Sequence, residues 1–94
     1  MRNIPKVIEA LKEVSELLAE GSYREVVDGF IRELENPDIG DLELRELKSK
    51  LSKDYLFDIK YLGDAYAPNF TGDGTAFAWW KYLYSVAEIC QNNL

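Results

Sequence analysis

The segment from Ile4 to Pro37, IPKVIEALKEVSELLAEGSYREVVDGFIRELENP, decides the fold of this chain. Its apolar residues recur at intervals of three and four, first from Ile4 to Leu18 and again from Tyr23 to Leu34. This spacing places the apolar residues on one face of each of two amphipathic helices. Only a short connection containing glycine separates the two helices, so they must fold back on each other as a hairpin.

Local signals predict where these two helices begin and end. Asn3 is placed to cap the first helix, and Gly21 can end it in a left-handed conformation. The tetrapeptide SYRE, which follows Gly21, has the pattern of a capping box at the start of the second helix. Pro37 predicts the end of that helix, because the residue before a proline avoids the α region.

Residues 42–62 allow two interpretations. Asp41 can cap a third helix, whose inner face is formed by Leu44, Leu47, Leu51 and Tyr55. Ile59 and Leu62 keep the same register, so one helix reaching Leu62 is possible. A break near residues 52–54 is equally compatible with the sequence, because serine and aspartate favour helix caps.

A twelve-residue loop, Gly63 to Gly74, precedes the last helix, which we expect from Thr75 to Gln91. A loop of this length is often functional. Thr71 or Asp73 is expected to cap the last helix. Apolar side chains surround most of this helix, which is typical of a helix at the centre of a bundle. The apolar side chains expected to cover most of its circumference are Phe77, Trp80, Leu83, Tyr84, Ala87 and Cys90. Whether Trp79 is buried or exposed is left open by the sequence.

The chain of 94 residues is therefore predicted to form one all-α domain, residues 1–94, with four or five helices. No segment alternates between apolar and polar residues as a half-buried strand does. The longest apolar run is shorter than the roughly 20 residues that cross a bilayer. We expect a cytoplasmic location, in agreement with a single cysteine, Cys90, which is expected to be buried and inert.

The charge of the chain is negative and unevenly distributed. Its net charge is −6, and residues 1–47 account for all of it, with 12 acids and 6 bases (6 − 12 = −6). Such a chain repels nucleic acid and anionic membranes, so we expect neither as a partner. The sequence contains no histidine, the most common general base and metal ligand. These features favour a basic protein partner over catalysis.

The loop does not match known cofactor motifs. If Asp64 began an EF-hand, Tyr66 and Pro68 would stand where oxygen ligands are required. The tripeptide GDG at residues 72–74 lacks the lysine and hydroxyl residue of a phosphate-binding loop. We therefore expect neither a metal nor another cofactor.

Two groups of residues are candidates for partner binding. Six carboxylates crowd the turn after the second helix: Glu33, Glu35, Asp38, Asp41, Glu43 and Glu46. They form either an ordinary solvated face or an anionic docking surface for a basic protein. The second group lies in or beside the loop and combines acids with aromatic rings, as interface hot spots do: Asp64, Tyr66, Phe70 and Asp73.

The second helix ends in an acidic turn with proline and glycine, within the segment FIRELENPDIGDL of residues 30–42. The chain resembles the immunity proteins that neutralise bacterial nuclease toxins. The colicin E-type immunity proteins and those of contact-dependent inhibition systems are examples. The resemblance lies in this segment, in the size and acidity of the chain, and in four helices of which the third is irregular. The resemblance implies that Glu33, Asp38 and Asp41 hold a basic nuclease. The colicin-type family's adjacent tyrosine pair before a proline is absent, and its nearest counterpart is YAP at residues 66–68.

These observations lead to a functional prediction and two alternatives. We expect a non-catalytic inhibitor, an immunity or antitoxin-like protein, that binds a basic toxin domain through an acidic surface bearing aromatic residues. The alternative is a helical adaptor or regulatory module, which predicts an exposed apolar patch beside the last helix. A third class, an enzyme using paired carboxylates, requires a cleft that a small bundle has little room to form.

Overall fold

The computed structural model describes residues 2–72 and 74–94, and within these residues the chain is helical with no strand. The elements are α1 (Ile4–Leu17), α2 (Ser22–Glu35), α3 (Asp41–Lys50), a 3-10 helix (Leu62–Asp64) and α4 (Ala76–Asn93). The prediction of an all-α bundle is thereby confirmed, with four α-helices in the described residues. Their inner faces share one hydrophobic core.

The helices α1 and α2 form the predicted hairpin. Ser15 Oγ donates a hydrogen bond to Asp28 Oδ1 at 2.5 Å, which joins the two helices near their connection. Asn3 caps α1 as predicted, because its side chain accepts from the backbone N–H of Lys6. The predicted capping box is wrong: Gly21 is the N-cap of α2, with φ of 152°, and no side chain forms a capping bond. A residue other than glycine is strained at this φ.

The third helix ends at Lys50, so the interpretation with one long helix is wrong. The following residues form turns that bury Leu56 and Phe57, whereas Tyr55, expected on the inner face, is 53% exposed. The predicted cap at Asp41 is also wrong, since Gly40 is the N-cap and has no side chain to form the bond. The break in the apolar register leaves Tyr55 on the surface, where it joins a tyrosine cluster described below.

Only one face of α4 is buried, which corrects the expectation of a helix enclosed on all sides. The buried side chains are Trp79, Leu83, Val86, Ala87 and Cys90. Phe77 and Tyr84, both counted among the apolar side chains of a helix at the centre of the bundle, are 68% and 41% exposed. Thr75 caps the helix by accepting from Ala78 N at 3.2 Å, so the predicted cap at Thr71 is wrong. The alternative cap, Asp73, lies outside the described residues.

The two adjacent tryptophans attach α4 to the 3-10 helix. Trp79 Nε1 donates to the carbonyl of Leu62 at 2.8 Å, and Trp80 Nε1 donates to the carbonyl of Gly63 at 3.0 Å. Trp79 is the buried one of the pair, and Trp80 is half-buried. A buried indole N–H needs an acceptor, and the segment after α3 supplies one to each ring.

The loop after the 3-10 helix is fixed to the end of α1. Asn69 donates from its backbone N–H to Leu17 O at 3.3 Å and from its side chain to Glu16 O at 3.0 Å. The carbonyl of Tyr66 accepts from Ala19 N at 3.1 Å. The two bonds donated by Asn69 satisfy carbonyls that the C-terminus of α1 leaves without intrahelical partners.

The close approach of Trp80 leaves little room for a side chain at position 63. A Cβ on Gly63 would lie 3.0 Å from Trp80 Cδ1 and 3.1 Å from Asp58 O. Gly63→Ala should therefore lower the free energy of unfolding by about 1–3 kcal/mol, the usual cost of overpacking.

Gly29→Ala is the matched control for this substitution. Gly29 lies inside α2, where a Cβ would meet only Arg32 Nη2 at 3.9 Å. Because alanine favours a helix over glycine, this variant should gain up to about 1 kcal/mol. Urea denaturation followed by circular dichroism measures both values. Equal stability of the two variants would contradict the contact described for Trp80.

Candidate protein-binding surface

The turn between α2 and α3 brings together carboxylates from two helices. Asn36 holds this turn, since its side-chain oxygen accepts from Asp38 N at 3.0 Å and its carbonyl accepts from Ile39 N at 3.2 Å. Pro37 follows Asn36 and prevents α2 from continuing. As a result, the C-terminal turn of α2 and the first turns of α3 face a common depression in the surface.

We call this depression the acidic groove. It has a volume of about 270 Å³ and is lined by Glu33, Asn36, Ile39, Glu43, Glu46, Leu47 and Lys50. Three of the six predicted acids of the turn therefore lie together. Within the described residues none of these three carboxylates forms an ion pair. Lys50 is the one cation of the lining, so the groove has a surplus of negative charge.

Two other predicted acids face cations of the same chain. Asp41 Oδ1 lies 2.8 Å from Arg2 Nη1, and Glu35 Oε2 lies 3.4 Å from Lys12 Nζ. All four side chains are well exposed, and exposed pairs of this kind contribute at most about 1 kcal/mol. Both carboxylates are partly neutralised, and neither lines the acidic groove. Asp38, in the turn itself, is exposed.

The loop residues of the predicted surface lie elsewhere. Tyr66 is 75% exposed, and Asp64 is also exposed. Phe70 is half-buried, with its ring centroid 5.1 Å from that of Trp79. Asp73 lies outside the described residues.

The hairpin separates this loop from the acidic groove. The loop is attached to the end of α1, beside the start of α2, whereas the groove lies at the end of α2. The 14 residues of α2 span about 21 Å at 1.5 Å per residue. The predicted binding residues therefore form two surfaces at opposite ends of α2.

A tyrosine cluster of residues 23, 55 and 61 was not predicted. The ring of Tyr61 contacts Tyr23 edge to face at 5.7 Å and stacks on Tyr55 at 6.3 Å. Tyr55, Tyr61, Asp54, Asp58 and Lys60 line a depression of about 360 Å³. No periodic signal reveals this cluster, because Tyr23 lies in α2 whereas Tyr55 and Tyr61 lie in the irregular segment after α3, and because Tyr55 matched the register of a longer helix.

A fourth surface lies on the exposed face of α4. We call it the α4 stripe, and it consists of Phe77, Lys81, Tyr84 and Glu88, all of them exposed. Beside it lies a mostly apolar groove of about 410 Å³, the α4 groove, lined by Ser52, Lys53, Asp54, Tyr84, Ala87, Glu88 and Gln91. Gln91 fixes one wall, because its Nε2 donates to Lys48 O and Leu51 O at the end of α3.

The described residues contain no further cluster with an evident chemical role. Among them there is no group of three or more histidine, cysteine, aspartate or glutamate side chains placed to hold a metal ion. Every buried side-chain nitrogen or oxygen in this part of the chain has a hydrogen-bond partner. Burial and a hydrogen bond to Glu13 raise the pKa of Tyr82, which is thereby kept neutral. In the part of the chain that is described, no helix is long and apolar enough to cross a membrane.

Comparison with protein-family models, with curated proteins and with solved structures gave no match to this chain.

Cys90 is buried, as predicted, and burial raises the pKa of its thiol to about 12. Because the thiolate is the reactive form, the native thiol should react with Ellman's reagent at pH 8 on the order of a thousandfold more slowly than the unfolded chain. Absorbance at 412 nm measures the labelling. Equal labelling rates with and without denaturant would show that Cys90 is accessible.

The raised pKa of Cys90 also predicts that the free energy of unfolding falls as the pH rises from about 9 toward 12, since the unfolded state releases this proton first.

Proposed function

We propose that this protein is a non-catalytic inhibitor of the immunity or antitoxin type, which binds a basic toxin domain through the acidic groove. One observation carries the proposal: Glu33, Glu43 and Glu46 come from two helices, line one depression and have no ion-pair partner among the described residues. A basic side chain that enters this groove is attracted by three carboxylates and repelled by one ammonium group, that of Lys50.

The lining of the groove fits the shape of an arginine or lysine side chain. Ile39 and Leu47 contribute apolar surface to a depression whose other walls bear carboxylates. Long basic side chains bury their methylene stems on such apolar surface while their charged ends remain with polar groups. An arginine guanidinium also forms paired hydrogen bonds with a carboxylate, which adds specificity.

The distribution of charge supports fast association with a basic partner. The whole surplus of −6 lies in residues 1–47, which include both helices of the hairpin and most of α3. Charge concentrated in one region steers a cationic protein toward it and accelerates association. Salt screens this steering, so the rate of association should fall as ionic strength rises.

In this proposal the inhibitor occupies the substrate-binding or active surface of the toxin and performs no chemistry itself. It acts in the bacterial cytoplasm, where the toxin would otherwise harm the cell that contains it. A cytoplasmic location agrees with a single cysteine that is reduced and buried.

A helical adaptor is the second candidate. The α4 stripe favours it, because Phe77 and Tyr84 expose aromatic surface beside a groove on the last helix. Binding through this surface would depend on apolar contact and would change little with salt. Salt dependence therefore discriminates between the two candidates.

The proposal predicts that a neighbouring reading frame encodes a toxin with a basic C-terminal domain, and that domain serves as the partner in the test. We expect the protein to co-purify with that domain and to inhibit it. Glu43→Lys combined with Glu46→Lys should lower the association rate constant at low salt by about tenfold or more, because the groove loses its attraction for the partner. Stopped-flow fluorescence of a dye attached to the toxin domain, recorded at two salt concentrations, measures the rate.

The control carries Glu20→Lys and Glu25→Lys, which change the net charge by the same amount at exposed positions beside the α1–α2 connection, at the other end of α2 from the groove. The association rate constant of this variant at low salt should fall much less. An equal loss in both variants would assign the effect to net charge alone and contradict the role of the groove. Absence of binding to the basic domain would reject the inhibitor and favour the adaptor.

A further inference from the structure

The exposed face of α4 carries a projecting ring and a groove on the same side of one helix. Phe77 is 68% exposed in the first turn, and Tyr84 follows seven residues later. Residues seven apart are two helical turns apart and therefore share a face. The α4 groove lies around Ala87 and Gln91, beyond Tyr84 in the same direction along the helix.

The spacing of these features matches a two-fold axis. Phe77 stands seven residues before Tyr84, and Gln91 stands seven residues after it. At 1.5 Å per residue each lies about 10 Å from the midpoint. If two copies of α4 lie antiparallel with the axis beside Tyr84, the Phe77 ring of each copy faces the α4 groove of the other.

The charges on this face are also self-complementary. Lys81 precedes Tyr84 by three residues, and Glu88 follows it by four. In the antiparallel arrangement Lys81 of one copy therefore lies next to Glu88 of the other, and symmetry forms this pair twice. Within the described residues neither side chain has an ion-pair partner in its own chain.

We propose that α4 binds a second copy of this chain, and that a symmetric antiparallel dimer forms with Phe77 in the α4 groove of the partner. The contact spans about 21 Å of helix, which is the rise from Phe77 to Gln91 at 1.5 Å per residue. Such a contact is smaller than that of an obligate dimer, so the dimer dissociates readily and its population depends on concentration.

The dimer and the proposed inhibition use different residues and respond differently to salt. The α4 stripe contains none of the three carboxylates of the acidic groove, Glu33, Glu43 and Glu46. Two chains of charge −6 repel each other at long range, and salt screens that repulsion. Salt also screens the attraction of the two Lys81–Glu88 pairs, so these effects oppose each other and added salt should change the dimer little, whereas it weakens the binding of a basic protein. Either proposal can fail without the other.

Sedimentation velocity on the complete chain over about 10 µM to 1 mM tests the dimer, a range suited to a small interface. The mean mass should rise toward twice that of the monomer.

Phe77→Ser should raise the dissociation constant about tenfold or more, since it removes the aromatic anchor. Tyr66→Ser is the matched control, because Tyr66 is equally exposed on the loop, away from α4, and its loss should leave the dimer unchanged. Circular dichroism confirms that each variant is folded.

A charge exchange tests the antiparallel register. Lys81→Glu and Glu88→Lys should each weaken the dimer severalfold, because each places like charges together across the axis. The double variant carrying both changes restores opposite charges and should return to within about threefold of the original affinity. The proposal would be overturned if the protein stayed monomeric at all concentrations. It would also be overturned if Tyr66→Ser weakened the dimer as much as Phe77→Ser, or if the double variant did not recover its affinity.

Discussion

The two indole N–H groups of Trp79 and Trp80 attach the irregular part of the chain to α4, and the remaining packing depends on this attachment. The 25 residues from 51 to 75 contain only one short 3-10 helix among their described members. Connections of this length are uncommon in small domains, because their backbone groups need partners. The tryptophans bind the middle of the segment, Gln91 binds its beginning and the end of α1 binds its later part. The segment therefore serves as one wall of the core.

The sequence predicted the hairpin because periodicity marks both helices, and because Asn3 and Pro37 mark its two ends, although the capping box expected between the helices was wrong. After α3 periodicity failed, whereas the serine and aspartate near residues 52–54 had indicated the break that the structure shows. Leu51, Tyr55 and Ile59 continue a helical register, although the structure buries Leu56 and Phe57 instead. A helical period does not reveal where the helix stops. Likewise the sequence of α4 does not reveal which of its apolar sides is covered, since that depends on segments distant in the chain.

The candidate site was predictable to the extent that it is local. The acids around the turn after α2 are close in sequence, so a short turn brings Glu33, Glu43 and Glu46 together. The partners of Asp41 and Glu35 could not be predicted, because Arg2 and Lys12 reach them across the hairpin. The distance between this turn and the loop depends on the length of α2 and on the bonds that attach Asn69 to the end of α1. No pattern of residue types predicts these bonds of Asn69.

The position of the tryptophans has a consequence for spectroscopy. The chain contains two tryptophans, and both lie where the irregular segment meets α4. Intrinsic fluorescence therefore reports the docking of that segment and is nearly blind to the acidic hairpin. Circular dichroism, by contrast, follows all four helices together. A partially folded form in which the hairpin survives after the segment has detached would appear as a fluorescence transition that precedes the loss of ellipticity.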